Sequence, residues 1–227
     1  MARAFLHHDR YPAHPGARGV PTGGNALVGD VYARLTPIYD FVFGTLLQAG
    51  RVAAIERMAI RPGDRVLEVG VGTGINAPLY PHDCHVTAID FSVPMLERAR
   101  ERVDRHRLAH VQLLEQDAAH MAFADDAFDA VYAPYVISVV PEPVSVARQM
   151  RRVCRRGGRI VILNHFRTTA APVLSWLEQL VSPLTVHLGF RMDLELAALL
   201  REAELRPLSI ERVNVPPVWT LVTCTKD

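Results

Sequence analysis

The 227-residue chain is 49% apolar and 22% charged, a globular composition that excludes wholesale disorder and suits one large α/β domain. A formal charge of +1 supplies no bulk basic field for nucleic acid, and no apolar run approaches the ~20 residues that span a bilayer. Cys84, Cys154 and Cys224 are too scattered for a disulfide framework or a zinc spacing, so a reducing, cytoplasmic setting without a metal site is expected.

Residues 1–25 carry His7, His8, His14, prolines and glycines with no apolar period. They read as a flexible leader without the basic start, apolar centre and cleavage site of a secretory signal. Leu27, Val31, Leu35, Ile38, Val42 and Leu46 then recur every three or four residues, the stripe of an amphipathic helix. Thr36-Pro37, an N-cap and first-turn pair, divides this stretch into two helices, and a third covers about 48–59. Residues 26–60 thus form a helical cap on a sheet core over 61–227, with a turn at Arg61-Pro62-Gly63-Asp64.

After that turn, strand and helix signals alternate. Strands are predicted at 65–69, 85–89, 111–115, 128–133 and 159–163. A short helix follows the glycine loop, a second spans 93–103 behind Ser92, and a third spans 144–155, ended by Gly157-Gly158. Strands with helices between them give a parallel sheet covered on both faces. Helices follow at 171–181 and 193–202, then strands at 208–213 and 218–224. The gap between these last strands is too short for a helical crossover, so they run antiparallel.

The chemistry concentrates at the strand ends. Glu68-Val-Gly70-Val-Gly72-Thr-Gly74 follows the first buried strand, and its glycines permit a sharp turn and a close approach by a ligand. A dinucleotide fingerprint wants two residues before its third glycine, whereas Thr73 alone separates Gly72 from Gly74. Glu68 also disfavours a pyrophosphate, so a cationic or neutral ligand fits better. Asp90 ends the second strand where doubly wound sheets place the carboxylate for a ribose diol. Asp117 closes the third, able to face an adenine amine. For Glu68 and Asp117, a plain loop-capping role stands beside the ligand-binding one.

Val66-Leu67-Glu68-Val69-Gly70-Val71-Gly72-Thr73-Gly74 resembles the first motif of the class I S-adenosylmethionine-dependent methyltransferases. Asp90, Gln116-Asp117-Ala118 and Arg156-Gly157-Gly158-Arg159 fall at that family's later motifs. The resemblance covers about residue 30 to the C-terminus. It implies a three-layer, doubly wound seven-stranded sheet, mostly parallel with the last strand antiparallel. It also implies S-adenosylmethionine as cofactor, held by Glu68, Gly70, Gly72, Gly74, Asn76, Asp90, Phe91, Ser92, Met95, Asp117 and Ala118.

Within the family, Val31-Tyr32-Ala33-Arg34-Leu35-Thr36-Pro37-Ile38-Tyr39-Asp40, Tyr135-Val136-Ile137-Ser138-Val139-Val140-Pro141, Asn164-His165-Phe166 and Leu188-Gly189-Phe190-Arg191 resemble bacterial phosphatidylethanolamine N-methyltransferases. The Tyr39-Asp40 pair is shared with quinone C-methyltransferases, which keeps a quinone-type acceptor open. On the phospholipid reading, Tyr39, His165 and Tyr135 are the catalytic candidates, and Tyr32 and Arg191 contact the substrate. An ethanolamine amine must lose its proton, and His165 titrates in the right range to take it or to pair with phosphate. Tyrosine faces attract an ammonium through successive methylations, and Arg191 suits a lipid phosphate. Core packing of the tyrosines, a structural His165 and a solvated Arg191 are the plain alternatives.

The expected partners are a phospholipid head group and an anionic surface at the inner face of the membrane. The helices of 27–46 and the apolar stretch 173–184 are amphipathic enough to lie in an interface. Arg148, Arg151, Arg152, Arg155 and Arg156 would be drawn to anionic lipid, although a solvated helix face is the simpler reading of that cluster. Lys226 is the lone lysine among 25 basic residues, for which codon bias is a simpler explanation than phosphate binding. A dinucleotide oxidoreductase and a non-catalytic membrane-binding module are the rival classes.

Overall fold

Strand β1 (Arg65–Val69) shows why a parallel core forms: Val66, Leu67, Glu68 and Val69 are all buried, which requires cover on both faces. The computed structural model describes residues 47–166, 195–214, 217 and 219–227. The leader, the helices expected at 27–46 and 171–181, and Tyr32, Tyr39 and Arg191 lie outside the described residues.

Helix α1 (Gln48–Arg57) precedes β1, and a single 3-10 turn (Ala77–Leu79) follows the glycine loop. Then come β2 (His85–Asp90), α2 (Val93–Arg105), β3 (Val111–Glu115), β4 (Phe128–Pro134), α3 (Pro143–Val153) and β5 (Cys154–Asn164). The described residues end with α4 (Leu196–Glu202), β6 (Arg206–Val213) and β7 (Trp219–Thr225). The seven strands form one sheet in the order β3-β2-β1-β4-β5-β7-β6, with β7 antiparallel to both neighbours. Order and direction agree with the expected doubly wound sheet, whose topology reverses between β1 and β4.

Two apolar clusters sandwich the sheet. One joins Leu67, Val131 and Ile162 with Val146, Met150 and Leu199, and the other joins Val66, Tyr132 and Leu163 with Ala54, Met58 and Leu96. Each fully buried Leu, Ile or Val contributes about 1.5–3 kcal/mol relative to exposure.

One boundary differs from expectation. Gly157-Gly158 does not separate α3 from the fifth strand, because β5 already begins at Cys154 and contains both glycines. Phe128 pairs with Cys154 and Ala130 with Arg159, so the additional residues of β5 bulge out of register. A Cβ at position 158 would stand 2.7 Å from Asp129 O and from Cys154 Sγ, so only glycine fits there.

Four of the five arginines of the expected basic cluster, part-exposed as they are, have partners within the chain. Arg152 donates to Phe123 O, Met121 O and Asp125, Arg148 donates to Glu202 O, and Arg151 and Arg155 pair with Glu204 and Asp129. These contacts tie α3 and β5 to neighbouring loops and to the end of α4. No described helix is long and apolar enough to cross a membrane.

Candidate active site

The carboxyl ends of β1, β2 and β3 converge on the glycine loop. Gly70, Gly72 and Gly74 have φ of 73, 55 and 73, the left-handed region in which a Cβ is strained. At Gly70 a Cβ would also meet Val136 Cγ2 at 2.5 Å, whereas at Gly72 the space beside the backbone is open. The loop is pinned by Gly70 N–H and Val71 N–H donating to Ile89 O, at 2.8 and 3.0 Å.

Asp90 anchors the open side. Its carboxylate accepts the N–H groups of Gly72 (2.8 Å) and Ser92 (2.9 Å), and burial raises its pKa against those hydrogen bonds. Ser92 stands at the N-cap of α2 but contributes its backbone N–H and makes no side-chain cap. Phe91, beside Asp90, is 78% exposed, a rare display for an aromatic ring. Met95 is half-buried in the first turn of α2.

Glu68 lies beneath the loop, with 0% of its surface exposed. Asn76 Nδ2 and Tyr80 Oη donate to its two oxygens at 2.7 Å each, and burial pushes the carboxyl up to about 7. Its carboxylate thus ties the end of β1 to Asn76 and Tyr80, just beyond the glycine loop. Asn76 Oδ1 is buried without a partner among the described residues, an acceptor left over beside the loop. Asp117 is exposed, accepts the Ala119 N–H at 2.8 Å and pairs with His120 Nδ1 at 2.9 Å. The His120 hydrogen bond holds its carboxyl below the usual range. Ala118 follows half-buried, and Gln116 N–H reaches Asp90 O at 3.0 Å, which aligns the ends of β2 and β3.

A second group of side chains occupies the ends of β4 and β5 and the start of β7. Tyr135 has φ +56, and its N–H donates to Leu163 O at 2.6 Å. Its hydroxyl donates to Leu47 O at 3.4 Å and accepts from Asn214 Nδ2 at 3.2 Å. Burial pushes this phenol up to about 12, so it stays protonated at neutral pH. Trp219 meets Tyr135 edge-to-face at 5.0 Å and His165 at 5.7 Å. The Arg51 guanidinium lies 5.3 Å from the centroid of the Tyr135 ring, so a cation already stands near that aromatic face. Asn164 accepts from the Ser138 hydroxyl at 3.2 Å and donates to His165 O at 3.0 Å, orienting the segment that carries His165.

The structure thus brings together Glu68, the loop glycines, Asn76, Asp90, Phe91 and Ser92 on one side, and Tyr135 with His165 on the other. Sequence reasoning missed Arg51, Asn214 and Trp219. Trp219 carried a usable signal, since an antiparallel last strand begins at the same sheet edge where the parallel strands end. Arg51 and Asn214 carried none.

The chain matches a family model described as a methyltransferase domain over residues 67–162. It is 44% identical over 189 residues, 83% of this chain and 85% of the relative, to the phosphatidylethanolamine N-methyltransferase of Cereibacter sphaeroides. The chain belongs to the class I S-adenosylmethionine-dependent methyltransferases, and its cofactor is S-adenosylmethionine. A demethylmenaquinone methyltransferase of Clavibacter sepedonicus is 36% identical over 156 residues, 65% of this chain and 61% of that protein. In fold, the chain is similar to the Haemonchus contortus phosphoethanolamine N-methyltransferase 2 solved with phosphomonomethylethanolamine and S-adenosylhomocysteine. That likeness has a TM-score of 0.74 at 16% identity and covers 91% of this chain and 60% of the other.

Proposed function

We propose that the chain methylates the amine of phosphatidylethanolamine at a membrane surface, onward towards phosphatidylcholine. The 44% identity to a phosphatidylethanolamine N-methyltransferase over most of both chains carries this reading.

The residues at the β1–β3 edge fit the cofactor. The open backbone at Gly72, the Asp90 carboxylate and the exposed Phe91 ring offer a close approach, an acceptor for a diol and a flat apolar surface. Met95, Ser92, Asp117 and Ala118 complete the nucleoside side, while Gly70, Gly74, Asn76 and Glu68 set the shape of the loop. When bound, S-adenosylmethionine supplies an electrophilic methyl group on a sulfonium.

The chain's own work is then to present a neutral amine in line and to accept its proton. Much of the acceleration comes from that positioning. The protonated Tyr135 phenol serves as a hydrogen-bonding wall and not as a base. His165, at the end of β5, takes the proton. Tyr39 crowds the methyl site, Tyr32 lines the ammonium, and Arg191 holds the lipid phosphate.

The test uses methyl-labelled S-adenosylmethionine with liposomes of phosphatidylethanolamine and an anionic lipid, followed by chromatography of the extracted lipid. Label in mono-, di- or trimethylated lipid is expected, and unlabelled lipid with cofactor binding intact refutes the acceptor. The 36% identity to a demethylmenaquinone methyltransferase favours C-methylation of a quinone-type acceptor as the second reading.

A further inference from the structure

Among the described residues, helix α1 starts without a local side-chain cap. Leu47 occupies the N-cap position and provides no side-chain hydrogen bond, so the amide N–H groups of the first turn need partners from elsewhere. Gly50 finds one 164 residues away, where Asn214 Oδ1 accepts its N–H at 2.6 Å. The other end of the same carboxamide donates to the Tyr135 hydroxyl at 3.2 Å, and that hydroxyl donates to Leu47 O at 3.4 Å. The loop closes on itself: first turn of α1, Asn214, Tyr135 and back to the first turn.

The residue types are dictated by this closure. A carboxamide has one acceptor end and one donor end, so satisfying Gly50 with Oδ1 leaves Nδ2 for the phenol oxygen. Asn214 sits at φ +69, a left-handed conformation that asparagine tolerates better than most residues. Glycine at position 50 leaves room for it, because a Cβ there would stand 2.7 Å from Asn214 Oδ1.

We infer that Asn214 is a positioning residue for the acceptor site: its carboxamide caps α1 from across the fold and, with its other end, fixes the Tyr135 hydroxyl. The start of α1 and the Tyr135 edge therefore move as one body. This rests on the proposed acceptor site at Tyr135 and goes beyond it, since Asn214 acts through Tyr135.

Asn214→Asp separates the two jobs. A carboxylate still accepts from Gly50, but it can only accept from the phenol, which turns the Tyr135 proton away from Leu47 O. Asn214→Ala loses both jobs. In the full chain, turnover on whichever acceptor the wild type methylates is measured for Asn214→Ala, Asn214→Asp, Tyr135→Phe and Asn214→Asp in the Tyr135→Phe background. Each single Asn214 change is expected to lower kcat about tenfold, with cofactor affinity within twofold of wild type. In the Tyr135→Phe background, Asn214→Asp is expected to change kcat less than twofold. Equal losses in both backgrounds, or wild-type kcat in Asn214→Asp, would overturn the inference.

A readout that needs no acceptor is hydrogen exchange at the Gly50 amide, expected to quicken at least tenfold in Asn214→Ala and to stay within threefold of wild type in Asn214→Asp. Unchanged exchange in Asn214→Ala also overturns the inference. Failure of the phospholipid reading looks different: the wild type labels a quinone and not the lipid, while the same four variants are compared on the quinone.

Discussion

The glycine-loop edge and the Tyr135 edge lie side by side on one sheet and are built from different kinds of contact. At the first, backbone groups dominate: Gly70, Val71 and Gly72 donate N–H groups to Ile89 O and Asp90, all within about twenty residues of chain. At the second, side chains from α1, β4, β5, β6 and β7 interlock, with Asn214 reaching Gly50 and Tyr135, and Trp219 packed between Tyr135 and His165. A backbone cradle tolerates side-chain change but not added Cβ atoms. A side-chain cluster answers to each member separately, and that contrast suits a common cofactor beside a variable acceptor.

Mutations should separate the two edges, and the largest effect is expected at the Tyr135 edge. His165→Ala should lower turnover about 100-fold, as loss of a proton acceptor does, with cofactor affinity by calorimetry unchanged. Matching losses of turnover and affinity would erase the distinction between the edges. Gly70→Ala should do the reverse, weakening cofactor binding about 30-fold, which corresponds to about 2 kcal/mol of left-handed strain and contact with Val136. Wild-type affinity in that variant would mean that the loop is not the cradle.

Glu68 gives the comparison a pH axis. Its carboxyl is raised in the folded chain from 4.5 to about 7, mainly by burial, so the folded state holds the proton more tightly than the unfolded state. The resulting stability is fully present below pH 4.5 and is lost as the pH rises through about 7. Its size is about 3 kcal/mol. Urea midpoints at pH 5 and pH 8 should show the decline in the wild type and a smaller decline in Glu68→Gln. Identical slopes would remove Glu68 as the source. The smallest effect is expected at Phe91, whose ring is exposed. Phe91→Ala should leave the melting temperature nearly unchanged and weaken cofactor binding about fivefold, the scale of one aromatic contact. A large loss of stability would mean that the ring packs within the fold.

Legibility followed the same division. The loop from Glu68 to Gly74, Asp90 and Asp117 could be read because each lies at the end of an apolar run, and strand ends are visible in the hydropathy pattern. Gly157-Gly158 was misplaced because two glycines after a helical stripe signal a stop as readily as a bulge, and the pairing partner that distinguishes them lies in β4. The arginines of α3 show the same limit. Their charge is obvious in the sequence, but their partners Phe123, Asp125, Asp129 and Glu204 are not.

Local sequence determined the alternation of strands and helices, the glycine turn and the acidic strand ends, because backbone propensity and hydrophobic period act over a few residues. Tertiary structure alone decided that Glu68 is buried between Asn76 and Tyr80, that Arg51 stands near the face of Tyr135, and that Asn214 caps a helix begun 166 positions earlier in the numbering. Those outcomes depend on which groups lose water together when the sheet closes. A buried carboxylate, phenol or amide must then find its partner wherever the fold has brought one.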